Sequence, residues 1–240
     1  MSYAVAVARP AGLAECTVWI AHVPLSSDHL VSLLDASEAL RRTQYERAAD
    51  RHRFTAAAAL LRILAGELSA TAPRRVQIDR TCTDCGRPHG KPRLVDRPDL
   101  DVSISHSGDW VAVAAARGAR VGVDVEADPA DWHELAAAAC TPHERAAIHG
   151  AHEFALTWVR KEAALKALGV GLRIDPASVE VTPAGTPAGL IAIVGAEVPA
   201  AVLADLEVGP THAGAVAVLG VPAGALTIRV ESADHRLTTG

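Results

Sequence analysis

The hydrophobic period of this chain changes repeatedly along its length, and that alternation constrains the fold more than any other feature. Phe54, Ala58, Leu61 and Leu64 recur at helical spacing. From Val102 the period is two: Val102 and Ile104 alternate with small polar residues, 110–116 reads as a second strand after the His106–Asp109 turn, and a turn around Gly118 precedes a third. In that third strand Val121, Val123 and Val125 share one face, and Gly122, Asp124 and Glu126 share the other. The helical period returns at Phe154, Trp158, Lys161, Leu165 and Leu168, and after Pro176 come Val/Ala/Ile strands with Pro–Gly turns. The order strands, long helix, more strands thus occurs twice, which predicts an α+β fold built from two similar halves.

Local signals fill in the remainder. Residues 4–8 and 17–23 read as strands around a Pro10–Gly12 turn, and Ser27 is placed to cap a short helix carrying Leu30, Leu33 and Leu34. Asp35 and Glu38 have capping-box spacing, as do Thr141 and Glu144, with Pro142 at the first helical position. That helix is expected to run in one or two pieces to Leu168, stopped by Gly169 and Gly171. Residues 71–99 read as an irregular loop with one short strand near Val76–Ile78. The expected division is 1–117 for the first half, 118–231 for the second and a frayed tail at 232–240.

Half of the 240 residues are hydrophobic but only 3 % are aromatic, so the core must pack small side chains at close approach. The formal net charge of −5 argues against a nucleic-acid binder, which needs a basic surplus to neutralise phosphates. A local cluster of Arg41, Arg42, Arg47, Arg51 and Arg53 is either a solvated helix face or a site for a small polyanion. No apolar run is long enough to span a bilayer and no secretion signal is evident, so the expected compartment is the cytoplasm, with the four cysteines reduced and no membrane contact.

Two carboxylates on one face of a strand, Asp124 and Glu126, lose solvation and repel each other unless a cation or proton intervenes; otherwise they mark a solvated edge. The helix around Trp158 adds Glu162 and, four residues on, Lys166, which is either a surface pair or part of the same constellation. Lys161, inside the apolar stripe, demands an anionic partner. One arrangement answers these demands: Asp124, Glu126 and Glu162 bind Mg²⁺ through oxygen, and Lys166 neutralises a phosphate on the same metal. Gly90-Lys91-Pro92 and Ser105-His106-Ser107-Gly108 each offer either phosphate contacts or ordinary turn chemistry.

Taken in order, Gly90-Lys91-Pro92, Val102-Ser103-Ile104-Ser105-His106-Ser107, Gly122-Val123-Asp124-Val125-Glu126 and Trp158-Val159-Arg160-Lys161-Glu162-Ala163-Ala164-Leu165-Lys166 resemble the signature blocks of the Sfp-type 4′-phosphopantetheinyl transferases. The resemblance spans roughly residues 90–170 and extends more loosely over Arg53–Arg62. It implies a pseudo-dimer of two α+β halves within one monomeric chain, with coenzyme A in the cleft between them. On the matching motifs, Asp124, Glu126 and Glu162 are the implied Mg²⁺ ligands. Gly90, Lys91, Pro92, Ser105, His106, Asp124 and Lys166 belong to the implied coenzyme A site, joined by Arg53 and Arg41 at the adenosine end. The implied reaction is attack of a serine of an apo acyl or peptidyl carrier protein on the β-phosphate of coenzyme A, releasing 3′,5′-ADP. Glu162, directly or through a metal-bound water, accepts the serine proton, and Lys166 stabilises or protonates the leaving group.

Two rival readings stand beside this one. Cys82-x-x-Cys85 with His89 resembles half of a zinc knuckle, or is simply a pair of thiols in a loop; a zinc-ribbon nucleic-acid module would need a second pair, and Cys16 and Cys140 are isolated. A binder of coenzyme A or carrier protein without turnover is the other, although all three carboxylates and Lys166 are present.

Overall fold

The computed structural model describes residues 14–24, 26–170 and 173–238. The strand expected at 4–8, the Pro10–Gly12 turn and the stop at Gly171 lie outside them. The first elements are strand β1 (Ala14–His22), helices α1 (Ala36–Thr43) and α2 (Ala48–Ser69), and strands β2 (Ile78–Asp79), β3 (Arg93–Leu94), β4 (Leu100–Ser107), β5 (Trp110–Arg117) and β6 (Arg120–Ala127). Helices α3 (Trp132–Ala139), α4 (Pro142–Ala146) and α5 (Ala151–Leu168) follow. Strands β7 (Val179–Val181), β8 (Leu190–Ile193), β9 (Ala201–Gly209), β10 (His212–Leu219) and β11 (Leu226–Ser232) and helix α6 (Asp234–Thr238) complete the order. Both capping boxes form, at Asp35–Glu38 and Thr141–Glu144. Ser27 does not cap; its hydroxyl and amide meet the imidazole of His52 instead.

The chain is an α+β fold in four layers, α2 on one sheet, that sheet on a second, and α5 outside the second. Alternation along each strand produces this stacking. On β5, Val111, Val113 and Ala115 pack under α2 with Trp19, Leu60, Leu61 and Leu64. Ala112, Ala114 and Ala116 face the other way, against Val121, Val123 and Val125 of β6 and Val216 and Val218 of β10. The outer face of β10, from Ala213 to Leu219, meets Ala155, Val159, Ala163 and Ala167 of α5. The sheet-to-sheet and sheet-to-helix contacts are largely Ala and Val, as an aromatic-poor core requires.

The first sheet has strand order β11-β1-β5-β4-β3-β2 and the second β6-β10-β9, with β7 and β8 as a separate pair. The second half therefore gives its last strand to the first: β11 runs parallel to β1, with Val230 opposite Val18. This corrects the expected tail. Asp234–Thr238 form α6; Ala233 and Leu237 are fully buried in the α2 core, Asp234 accepts the His22 amide at 2.6 Å, and Arg236 lies 3.8 Å over the Trp19 ring. One apolar side chain at the right register, Leu237, anchors a stretch whose polar composition reads as frayed.

The two sheets also meet edge on, through side chains. On the face of β4 that turns towards β6, Asp101 accepts from the Val121 amide (2.7 Å), Ser103 from Val123 (3.0 Å) and Ser107 from Ala127 (3.1 Å). Alternate side chains of one strand thus satisfy alternate amides of the other, where a backbone ladder would otherwise stand.

Candidate functional site

The site lies where β4, β6 and α5 converge. The crossing of α5 over β6 depends on Gly122: a Cβ there would collide with the carbonyl oxygen of Ala163. With no side chain at Gly122, the helix backbone rests on the strand, and the next outward residues, Asp124 and Glu126, face Glu162 and Lys166. Gly169 in the left-handed conformation (φ +71°) then ends α5 one turn beyond Lys166.

Asp124 is buried and its two oxygens are treated differently. Oδ1 accepts from Ser105 Oγ at 2.7 Å and from Lys166 Nζ at 2.6 Å; Oδ2 is buried with no donor. Lys166 Nζ also donates to Ser105 Oγ at 3.1 Å. Glu126 accepts from Ser107 Oγ at 2.9 Å, and Glu162 Oε1 is a second buried oxygen without a donor. Withdrawal from water, then the charge of Asp124, push the pKa of Glu126 above the usual carboxylate range; the same two causes raise Glu162, with a further contribution from Glu126. The three carboxylates therefore feel one another, but they stand apart. Among the described residues, Cys82, Cys85 and His89 are the one group of three such side chains whose ligating atoms all lie within 4.8 Å of one another.

A cavity of about 200 Å³ opens beside this group, lined by Arg41, Tyr45, Arg80, Ser105, His106 and Lys166. Two guanidinium groups, an ammonium and an imidazole around one small space give it the chemistry to hold a polyanion. The His106 pKa is held below its usual value, first by loss of hydration and then by the charges of Arg53, Lys166 and Arg41. Arg80, lining the cavity and flanked by Arg41 and Arg62, is held below the usual guanidinium value chiefly by loss of hydration. On the other side, Glu126 is part of the wall of a mostly apolar groove of about 470 Å³, with Leu135, Ala138, Phe154 and Trp158.

The structure thus brings together Asp124, Glu126, Glu162, Lys166, Ser105, His106 and Arg41. Arg53 stands at the rim, donating to Gly108 O (2.6 Å) and Asp50 (2.8 Å). Lys91 is not brought to the cavity: its ammonium pairs with Asp101 and donates to Val121 O (2.9 Å), bolting β4 to the start of β6. Gly90 lies between that lysine and the cavity wall; its amide bonds Arg80 O at 2.7 Å, and a Cβ there would press on Thr81 O at 3.0 Å. Pro92 is buried behind it. The anionic partner demanded by Lys161 is Glu144, not the site carboxylates: the two are fully buried 2.6 Å apart, and Lys161 also donates to Ala139 O and Pro176 O, each at 2.9 Å. Sequence reasoning missed Arg80 and Tyr45 in the cavity wall. Tyr45 carries no pattern, and Arg80 lies in a segment read as irregular loop, its one signal a basic residue ahead of the Gly90 turn.

The fold is thus two α+β halves, with a cavity lined by cationic side chains and with Asp124, Glu126 and Glu162 at their joint. Two family models match within this chain: the 4′-phosphopantetheinyl transferase superfamily over residues 120–217, and the 4′-phosphopantetheinyl transferase N-terminal domain over residues 23–118. The chain belongs to the 4′-phosphopantetheinyl transferase superfamily. It is similar to the L-aminoadipate-semialdehyde dehydrogenase-phosphopantetheinyl transferase of Schizosaccharomyces pombe, at 35 % identity over 129 residues covering 46 % of this chain and 49 % of that protein. A phosphopantetheinyl transferase of Thraustochytrium sp. is 28 % identical over 164 residues, covering 56 % and 51 %. The 4′-phosphopantetheinyl transferase of Bacillus subtilis is 25 % identical over 167 residues, covering 66 % and 71 %. The chain spans about half the length of the first two of these relatives.

Proposed function

We propose that this protein is a Mg²⁺-dependent, Sfp-type 4′-phosphopantetheinyl transferase, acting as a monomer to move the phosphopantetheine arm of coenzyme A onto a serine of an apo acyl or peptidyl carrier protein. The observation that carries the proposal is the pair of buried, donor-less carboxylate oxygens, Asp124 Oδ2 and Glu162 Oε1, next to a cavity lined by Arg41, Arg80, His106 and Lys166. Buried carboxylates that repel each other fit a hard divalent cation: the donors are all oxygen, and relief of that repulsion is what the raised pKa values of Glu126 and Glu162 call for. Asp124, Glu126 and Glu162 would hold Mg²⁺, which when bound supplies neutralisation of pyrophosphate charge. Mg²⁺ normally keeps several positions for water and phosphate oxygens, so three protein carboxylates would be sufficient.

The residues of the chain divide the remaining work. Arg41, Arg80 and His106 hold the phosphates of the nucleotide end in the cavity, with Arg53 at its rim. Ser105 keeps Asp124 and Lys166 in register, and Lys166 exchanges its contact with Asp124 for the departing phosphate oxygen, where it stabilises or protonates the 3′,5′-ADP group. Glu162, withdrawn from water, takes the proton of the carrier serine, directly or through water. The apolar groove beginning at Glu126 receives the uncharged arm. Intact-mass spectrometry of an apo carrier incubated with coenzyme A, Mg²⁺ and this protein tests the proposal. The expected result is one phosphopantetheine added at the carrier serine, dependent on Mg²⁺; unmodified carrier of every class under saturating conditions refutes it.

A further inference from the structure

We infer that Cys82, Cys85 and His89 form a zinc site, separate from the carboxylates, that clamps the loop between Arg80 and Lys91. The three ligating atoms lie within 4.8 Å of one another, and Cys85 Sγ approaches His89 Nε2 at 2.9 Å. The backbone is already folded around that point. Gly86 N donates to Cys82 O (2.9 Å), Cys82 N to Arg87 O (2.8 Å) and His89 N also to Arg87 O (2.9 Å). Gly86 takes the left-handed conformation (φ +68°), which turns the chain back directly after Cys85. Two cysteines separated by two residues on a tight turn, followed by a histidine, is the spacing that delivers ligands to one face of a metal.

The surroundings argue the same way. Residues 81–90 are exposed except for partial burial at Cys82 and Gly90, and none of them joins a hydrophobic cluster. A loop of ten residues with no apolar anchor pays ordering entropy for which apolar packing offers no return, and a cross-link would add to the hydrogen bonds that hold it. Mixed thiolate and imidazole donors suit Zn²⁺, unlike the oxygen donors of the carboxylate group. Three protein ligands leave the fourth tetrahedral position to water, consistent with the exposure of Cys85 and His89. On binding, both thiols lose their protons to solvent and two S–Zn bonds form, with no change in oxidation state.

The site lies between two legs that reach the joint of the two sheets. Gly90 N bonds Arg80 O, Pro88 O accepts from Arg41 Nη1 (3.1 Å), and Asp84 pairs with Arg173 (2.8 Å). Arg80 and Arg41 line the cationic cavity, and Lys91 bolts β4 to β6. A metal at the tip of the loop therefore fixes the two ends that hold this wall in place, whatever ligand the cavity takes.

The test uses the full chain, untagged and kept reduced, without coenzyme A or carrier, so its outcome is independent of transferase activity. Elemental analysis is expected to find about one zinc per chain. The metal-free protein, loaded with Co²⁺, should show an intense thiolate-to-cobalt charge-transfer band and tetrahedral d–d absorption. Both should vanish in Cys82→Ser/Cys85→Ser, and the band should weaken in His89→Ala, with far-UV circular dichroism unchanged. Zinc loading of the wild type should slow amide exchange at Cys82, Gly86, His89 and Gly90. Cobalt binding without a charge-transfer band, which would place the ion on carboxylates, overturns the inference. So does a band that survives in the double variant, or exchange at these amides that zinc leaves unchanged.

Discussion

Replacing Glu162 by Gln should abolish transfer yet stabilise the metal-free protein. Glu162 Oε1 is buried without a donor, and its carboxyl is pushed above the usual pKa by burial and then by Asp124. A carboxylate whose folded pKa lies above its unfolded value costs nothing where it is protonated in both states. The cost starts as pH rises past the unfolded value and is complete once pH passes the folded one. At pH 7.5, above the unfolded value, the wild type without metal therefore carries this penalty. Gln has nearly the same shape and no charge, so it removes the ionic part. The penalty for one buried unsatisfied group is about 1–3 kcal/mol; with Gln still polar, a gain of about 1–2 kcal/mol is expected. For a chain of this size that is a rise in melting temperature of about 2–8 °C. Differential scanning fluorimetry in EDTA reads it directly. The gain should disappear near pH 4, where Glu162 is protonated in the wild type, and should shrink when Mg²⁺ stabilises the wild type alone. Asp124→Asn should not behave this way, because Asp124 Oδ1 already holds Lys166 at 2.6 Å and Ser105 at 2.7 Å. Metal-free Glu162→Gln melting at or below the wild type at pH 7.5 would refute the reasoning, since Glu162 would then not be an unrelieved charge.

Arg80→Ala should weaken coenzyme A binding by one to two decades, the worth of about 1.5–3 kcal/mol for a charge-assisted contact, measured by isothermal titration calorimetry. His106→Ala should raise the KM for coenzyme A with kcat recovered at saturation; collapse of kcat at unchanged KM would instead make His106 the base. Gly122→Ala forces α5 off β6, and overpacking of this kind costs about 1–3 kcal/mol. Because the displacement separates Glu162 and Lys166 from Asp124, activity of the folded variant should fall far more than its melting temperature, compared by initial rates and thermal melts on the same sample.

The grouping of the candidate site residues was legible in the sequence where residue type and period coincide. Asp124 and Glu126 announce themselves because they interrupt no apolar position: Val121, Val123 and Val125 keep their own face, so the acidic face must be explained separately. Glu162 and Lys166 follow from helical spacing, and both capping boxes from local pattern. Long-range pairing was not legible. Nothing local tells Leu226–Ser232 to lie parallel to β1, or Leu237 to seat itself beside Trp19. Lys161 shows the same limit from another side. Its position in an apolar stripe rightly demands a buried carboxylate, but Glu144 and Glu162 are equally acidic on paper, and only the fold decides between them. Lys91 likewise reads as a phosphate contact from its motif, while Asp101, ten residues on, has the nearer claim.

The alternating polar residues of β4 account for why the site lies where it does. Asp101, Ser103 and Ser107 satisfy amides of β6 that lack a ladder partner, so this face of the strand is polar for a structural reason along its whole length. Ser105 breaks the series: its hydroxyl donates to the Asp124 side chain and accepts from Lys166. Seam and site are thus one row of side chains with a single member diverted. The diversion carries a consequence for the carboxylates. In a continuous ladder, Asp124 would be held by backbone alone and its charge would face a core; here it is oriented by a hydroxyl that can rotate and a lysine that is still 28 % exposed and can leave. On the proposed function, a phosphate arriving in the cationic cavity would compete for that ammonium, and loss of the Lys166 contact would uncover Asp124 while an anion is present beside it. On the proposed function, the joint between the halves would couple occupancy of the cavity to the state of the carboxylates through Ser105 and Lys166, which both reach Asp124 Oδ1 and each other.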